Sequence, residues 1–150
     1  MDTTVTVRVP GTTANCGPGF DAVGIACTLY NDLTLTLSGR PGLTIAVRGE
    51  GSGVIPAGEQ NIAYQAVMQV LKKAGRHSPG IAISMNNQIP LGRGLGSSAA
   101  AIVGGLTAAN AAIGGRLDRQ EILSMAAALE GHPDNVAPAI LGGITVTTMA

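Results

Sequence analysis

The 150-residue chain has no tryptophan, one phenylalanine and two tyrosines. Proteins that hold single-stranded nucleic acid stack its bases on aromatic rings, so this scarcity argues against that role. Charge is equally sparse: nine basic and nine acidic residues cancel, and charged residues make up only 12% of the chain. With no basic field to attract a polyanion or a lipid surface, a small partner is expected. Only two cysteines occur, Cys16 and Cys27, with no Cys-x-x-Cys pair and two histidines distant in sequence. That spacing fits neither a zinc site nor a disulfide framework, and a reduced, cytoplasmic protein is the expectation. Cys16 reads either as a small buried thiol or as a reactive one. Residues 1–10 carry Asp2 and alternating Thr and Val, without the basic-then-apolar order of a secretory signal. The uncharged run 94–115 approaches membrane-span length except that it contains Arg-free but polar Gly, Ser, Thr and Asn, so it reads as a buried helix.

What the chain has in abundance is glycine, with 22 residues. The stretch that organises it is Pro90-Leu91-Gly92-Arg93-Gly94-Leu95-Gly96-Ser97-Ser98-Ala99-Ala100-Ala101. Gly92, Gly94 and Gly96 permit positive φ and clear one face of the loop, so successive N–H groups can converge on an anion. Ser97 is the predicted N-cap of the helix that follows, whose free first-turn N–H groups favour phosphate. A loop serving only tight turns and close packing is the alternative. A Walker-type loop is excluded because Gly96 is followed by Ser97 without a lysine. The glycine spacing is also wrong for a dinucleotide fingerprint, and no ribose-binding acid follows at the required distance.

A chain of this length is the size of one domain with one core. Val5, Val7 and Val9 alternate in a strand predicted to end at Pro10, followed by a loop that turns at Gly17-Pro18-Gly19. A second strand is predicted to begin near Val23. Leu33, Leu35 and Leu37 alternate, then Leu43, Ile45 and Val47 after the Arg40-Pro41-Gly42 break, a pattern that predicts a hairpin. Ile62, Ala66, Val67, Val70 and Leu71 share a helical face, capped by Asn61 and ended by Gly75. Ile81, Ile83 and Met85 form a strand entering the glycine loop. The helix predicted from Ser98 to about Ala112 is apolar nearly all round, which places it in the middle of the domain. Asp118 and Glu121 have capping-box spacing for a helix stopping near Gly131, a short helical segment follows Asp134, and Ile144, Val146 and Thr148 alternate in a last strand.

The Pro90-to-Ala101 string resembles the second motif of the GHMP kinases, small-molecule kinases named for galactokinase, homoserine kinase, mevalonate kinase and phosphomevalonate kinase. Two further strings resemble motifs of the homoserine kinases within that superfamily. They are Val9-Pro10-Gly11-Thr12-Thr13-Ala14-Asn15-Cys16-Gly17-Pro18-Gly19-Phe20-Asp21 and Glu130-Gly131-His132-Pro133-Asp134-Asn135-Val136-Ala137-Pro138-Ala139. Gly11 and Cys16 stand where those kinases more often have alanine and leucine. The three motifs occur in the family's order and span nearly the whole chain. Family members run to about twice this length, so the resemblance implies an amino-terminal, ATP-binding domain over residues 1–150 without the carboxy-terminal domain. It also implies the α+β, two-layer fold first described in a small-subunit ribosomal protein, an antiparallel or mixed sheet packed on helices, with a left-handed βαβ unit that runs against the usual rule.

The activity so implied is transfer of a phosphoryl group from ATP to L-homoserine, giving ADP and O-phospho-L-homoserine in threonine biosynthesis, with Mg²⁺. Pro90, Gly92, Arg93, Gly94, Leu95, Gly96, Ser97 and Ser98 would surround the ATP phosphates, and Ser98 and Glu130 would hold Mg²⁺. Asn61 would contact the nucleoside, unless it serves only as a helix cap, and Arg93 either assists the phosphates or faces solvent. Asn15, Asp21 and His132 would bind homoserine; closing an Asx-turn is the alternative for the first two and a structural imidazole for the third. Asn135 would orient the acceptor hydroxyl. Asp134 belongs to the same site, either as the base or without that role. Rival readings are another GHMP kinase acting on mevalonate, shikimate or an isoprenoid precursor, and a non-catalytic nucleotide-binding module. Expected protein partners are a second copy or a carboxy-terminal GHMP domain.

Overall fold

The computed structural model describes residues 2–14, 23–131, 135–141 and 144–146. In chain order the elements are β1 (Thr3–Ala14), β2 (Val23–Ser38), β3 (Gly42–Gly49), α1 (Ile62–Lys73), β4 (Gly80–Asn87), α2 (Ser97–Ala112), α3 (Arg119–Glu130), α4 (Val136–Leu141) and β5 (Ile144–Val146). The sheet runs β1-β2-β4-β3, with β5 paired to the start of β2. All pairings are antiparallel except β3 with β4.

Alternation on four strands lines up into rows. Val5, Leu35, Ile83 and Ile45 lie side by side across the sheet, and so do Val7, Leu33, Met85 and Val47. Because side chains alternate between faces, the whole apolar set points to one side, where the helices cover it. The other side is polar. Thr4 and Thr36 pair through their hydroxyls at 3.0 Å, Thr6 and Thr34 at 2.8 Å, and Arg8 grips Asp32 through two N–H donors at 2.8 and 3.1 Å. The hydrogen bonds from Arg8 hold the Asp32 carboxyl below its ordinary range. The result is the expected two-layer α+β arrangement.

The hairpin expected from the two alternating stretches is not formed. Leu33–Leu37 and Leu43–Val47 belong to β2 and β3, and β4 lies between them, antiparallel to one and parallel to the other. Alternation records which face is buried but not which neighbour a strand takes. Space for the insertion comes from Gly80, where any Cβ would collide with the Arg40 carbonyl and the Ser38 hydroxyl. The connection after β2 therefore passes over the start of β4, tied down where Ser78 Oγ donates to the Ser38 and Gly80 carbonyls at 3.3 and 2.8 Å. The first strand also departs from expectation. It runs through Pro10 to Ala14 with a register shift between Pro10 and Thr12. As the sheet's edge, β1 tolerates a residue without an N–H. Gly11 to Ala14 are thus strand rather than loop, while the turn expected at Gly17-Pro18-Gly19 lies outside the described residues.

Helix boundaries follow the sequence closely. Asn61 caps α1, accepting from the Ala63 and Tyr64 N–H groups, and Asp118 with Glu121 forms the capping box of α3. Helix α2 is buried along Ala99 to Leu106 and again at Ala108 and Ala109. It touches β1 and β2 on one side and α1, α3 and α4 on others. Two adjacent glycines set those distances. A Cβ on Gly104 would meet Leu33 at an ordinary 3.4 Å, whereas a Cβ on Gly105 would lie 2.5 Å from the Ala63 carbonyl and 3.0 Å from Ala66 Cβ.

These neighbours are predicted to respond differently. Gly104→Ala gains helix propensity, so it should be neutral or stabilising by up to about 1 kcal/mol. Gly105→Ala should destabilise by about 1–3 kcal/mol because α1 must move away. Urea unfolding of both variants checks this, and equal midpoints would mean that α1 and α2 are not in fixed contact.

Candidate functional site

The glycine loop hangs between β4 and α2. At the end of β4 the chain is pinned by Asn31, whose Oδ1 accepts the Gln88 and Ile89 N–H groups at 2.9 and 3.0 Å. Asn31 is itself buried, and Ile89 is fully enclosed. The loop then rises into solvent at Leu91, Gly92, Arg93 and Gly94. Gly92, Gly94 and Gly96 all have positive φ, at 66°, 70° and 72°. A Cβ at Gly92 or Gly94 would have nothing within 4 Å. There the glycines serve backbone conformation alone.

Gly96 is different. A Cβ there would collide with the Thr12 hydroxyl and lie 3.4 Å from Asn135 Oδ1. Thr12, fully buried near the end of β1, donates its N–H to the Leu95 carbonyl at 2.8 Å and its hydroxyl to Asn135 Oδ1 at 2.9 Å. One residue thus joins all three sequence motifs. This also corrects the expected cap. Ser97 is the first residue of α2, and Gly96 occupies the N-cap position at φ 72° and ψ 37°, with no side-chain cap bond. A serine cap takes extended backbone, which the tight passage under Thr12 does not allow. The consequence is a helix start without a capping side chain, where the dipole and uncapped first-turn N–H groups favour negative charge.

Ser98, one residue further, donates its hydroxyl to Glu130 Oε2 at 3.0 Å. Glu130 ends α3, and Gly131 at φ 104° terminates that helix. A carboxylate is disfavoured at its own helix's C-terminus, but here it lies against the positive end of α2. Ser98 and Glu130, expected to act together, are therefore together. Asn135 is held beside Gly96 as described. Asn15, Asp21, His132 and Asp134 lie outside the described residues, as does Cys16.

Beside Ser97 and Ser98 opens a cavity of about 220 Å³ with an apolar wall of Ile55, Pro56, Ile62, Met85 and Leu91. Asn61 borders it, but its side chain is already committed. Its Oδ1 takes two N–H groups of α1, and its Nδ2 donates to the Pro56 carbonyl at 2.9 Å and approaches Met85 Sδ at 3.7 Å. Pro90 and Arg93 line a broader hollow on the other flank of the loop with Glu50, Gly51 and Val54, and Arg93 is exposed. Three residues of the site were not singled out by the sequence: Thr12, Asn31 and Asn87. The polar run Asn86-Asn87-Gln88 at the end of an alternating strand was the available signal for the last.

The family of GHMP kinases, N terminal domain, matches residues 61–143, more than half of the chain. The chain belongs to this family. It is 52% identical to the homoserine kinase of Moorella thermoacetica over 141 residues, which cover 94% of this chain and 47% of that protein. It is 49% identical over 143 residues to the homoserine kinase of Carboxydothermus hydrogenoformans, again covering 47% of it. Among solved structures, homoserine kinase from Cytophaga hutchinsonii superposes with a TM-score of 0.88 at 32% identity, covering 98% of this chain and 49% of that one. The mevalonate kinase of Methanococcus jannaschii, at 15% identity and a TM-score of 0.76, shares the fold. The chain spans about half the length of the curated relatives it matches.

The three loop glycines should separate on substitution. Gly92→Ala and Gly94→Ala should each destabilise by ~1–2 kcal/mol through the left-handed backbone alone. Gly96→Ala should add about 1–3 kcal/mol as its methyl displaces Thr12. Thermal or urea unfolding measures all three, and a Gly96→Ala no worse than the others would show that Thr12 does not fix the loop.

Proposed function

We propose that this chain is the nucleotide-holding half of a homoserine kinase, transferring the γ-phosphoryl group of ATP to the side-chain hydroxyl of L-homoserine in threonine biosynthesis. The observation that carries the reading is the junction at Gly96. It holds the glycine loop, the uncapped start of α2 and Asn135 together while Ser98 meets Glu130 alongside. In this reading the N–H groups of the loop and of the first turn of α2 hold the phosphates, and the apolar cavity takes the base.

The oxygen donor set of Ser98 and Glu130 suits Mg²⁺, a hard cation that needs few protein ligands when phosphate and water complete its shell. There is also an electrostatic reason for a cation. Phosphate and the Glu130 carboxylate, both anionic, would converge on one helix start and repel each other unless positive charge lay between them. When bound, Mg²⁺ would supply that neutralisation and draw charge from the transferring phosphoryl group.

The chain's own residues then position the reactants. Asn135, fixed by Thr12, orients the acceptor hydroxyl, while Asn15, Asp21 and His132 bind the amino-acid end of homoserine. The hydroxyl oxygen forms the new bond to the γ-phosphorus as the bond to the bridging oxygen breaks, ADP leaves, and the hydroxyl proton departs to Asp134 or to solvent. Placement in line and charge stabilisation supply most of the rate. A second, carboxy-terminal GHMP domain would close the cleft, and a cytoplasmic setting supplies ATP.

The test joins the chain to a homoserine kinase carboxy-terminal half and measures ADP and O-phosphohomoserine from Mg²⁺-ATP and L-homoserine, with mevalonate and shikimate as rival acceptors. Homoserine should be the acceptor used, and Glu130→Ala should lower the rate by about 10²–10³-fold. Preference for mevalonate or shikimate, or a Glu130→Ala protein with undiminished turnover, would refute the assignment.

A further inference from the structure

We infer that Thr12 is a positioning residue for the proposed transfer: its buried hydroxyl fixes which end of the Asn135 amide meets the acceptor. The inference rests on the kinase reading above and specifies how Asn135 acts in it. Thr12 has no exposed surface, and its Oγ1 lies 2.9 Å from Asn135 Oδ1. Distance alone is also compatible with a turned amide, whose N–H₂ would donate to the hydroxyl oxygen. The hydroxyl proton separates the two cases. In the turned arrangement that proton would need an acceptor of its own, and among the described residues Asn135 is the one hydrogen-bond partner of the Thr12 side chain. A buried O–H left without an acceptor is costly, so the amide oxygen faces Thr12 and accepts from it.

Both partners stand on fixed backbone. Thr12 pairs with Ala26 in the sheet, and its N–H donates to the Leu95 carbonyl at 2.8 Å, which ties it to the glycine loop. The Asn135 carbonyl accepts the Ala139 N–H of α4 at 3.4 Å. Gly96 leaves the space between them, since a Cβ there would collide with Thr12 Oγ1 and lie 3.4 Å from Asn135 Oδ1. The orientation of the amide is therefore set before any reactant arrives.

With Oδ1 turned to Thr12, the Nδ2 end points away from it. An amide nitrogen carries two N–H donors and accepts nothing, so one of them can serve the acceptor whatever the other holds. Asn135 then gives a hydrogen bond to the oxygen of the acceptor hydroxyl, which occupies one lone pair and leaves the other for the γ-phosphorus. As the new P–O bond forms, the bond to the bridging oxygen breaks with its electron pair going to ADP, and the hydroxyl proton leaves to Asp134 or to solvent. Asn135 is not its destination. A turned amide would instead draw that proton towards an oxygen too weakly basic to take it. Thr12, fully buried, meets no reactant itself and acts through the amide it holds.

Steady-state kinetics on the chain joined to a homoserine kinase carboxy-terminal half test this. Thr12→Val, similar in shape but without the hydroxyl, should lower kcat by about 10–100-fold, while KM for ATP stays within about threefold because the backbone bond to Leu95 is kept. Thr12→Ser, which retains the hydroxyl, should keep most of the rate. Adding Thr12→Val to Asn135→Ala should cost nothing further, since a residue acting through Asn135 has no effect once the amide is gone. A merely structural threonine would lower the rate again in that background. Full kcat in Thr12→Val, or the same loss in both backgrounds, would overturn the inference while leaving the homoserine reading intact. Asn135→Asp, which still accepts from Thr12 but offers the acceptor no N–H, should be as slow as Asn135→Ala. A faster Asn135→Asp would also overturn the inference, and this comparison decides the matter should Thr12→Val not fold. Failure of the unaltered joined protein to phosphorylate homoserine would overturn both readings.

Discussion

The α-carbon of Gly96 is where the rest of this structure is constrained. Thr12 from the edge strand, Leu95 from the loop and Asn135 from the segment before α4 come together there, and a methyl group would push them apart. The contact joins residues more than a hundred positions apart, so it forms only when the sheet and the helical layer are both in place. Once formed, it sets the start of α2 relative to the sheet. A local feature, the left-handed turn at Gly96, and a global one, the docking of β1 on the helical layer, therefore depend on each other.

The same economy of side chain runs through α2. Its alanines and glycines let β1, β2 and α1 approach closely, which makes the helix a rigid support for the loop at its start. A bulkier helix would bury more apolar area per residue, but it would also hold its neighbours further away and move Thr12 out of reach of Leu95. Ala63 and Ala66 of α1 and Leu33 of β2 are fitted to this helix at Gly105 and Gly104 respectively. Packing and loop geometry are thus one constraint, because a small-residue helix cannot shift without closing or opening the loop.

Much of this was legible in the sequence, and the exceptions share a cause. The caps at Asn61 and Asp118 and the all-round burial of α2 depend on residues close in sequence, so pattern and propensity reach them. The meeting of Ser98 with Glu130 was legible only through resemblance, because nothing local links positions 32 residues apart. Strand order was not legible, since Leu33–Leu37 and Leu43–Val47 carry the same alternation whether they pair with each other or both with β4. The burial of Thr12, Asn31 and Asn87 was hidden because a polar residue in a strand reads as surface until the packing shows otherwise. Ser97 was misread as a cap for a related reason: its own propensity is correct, and the neighbour Thr12 overrides it.

A site built from backbone N–H groups and neutral amides has a consequence for charge. Both lysines of the chain, Lys72 and Lys73, are in the last turn of α1, and the glycine loop itself carries only the exposed Arg93. A Walker-type loop brings a lysine to the phosphates; here, among the described residues, the ionisable group hydrogen-bonded at the helix start is the acid Glu130. In the proposed reading a triphosphate would add several further negative charges to that acid. Helix dipole and amides offset only part of this, so that reading calls for a divalent cation beside Glu130 to balance the rest.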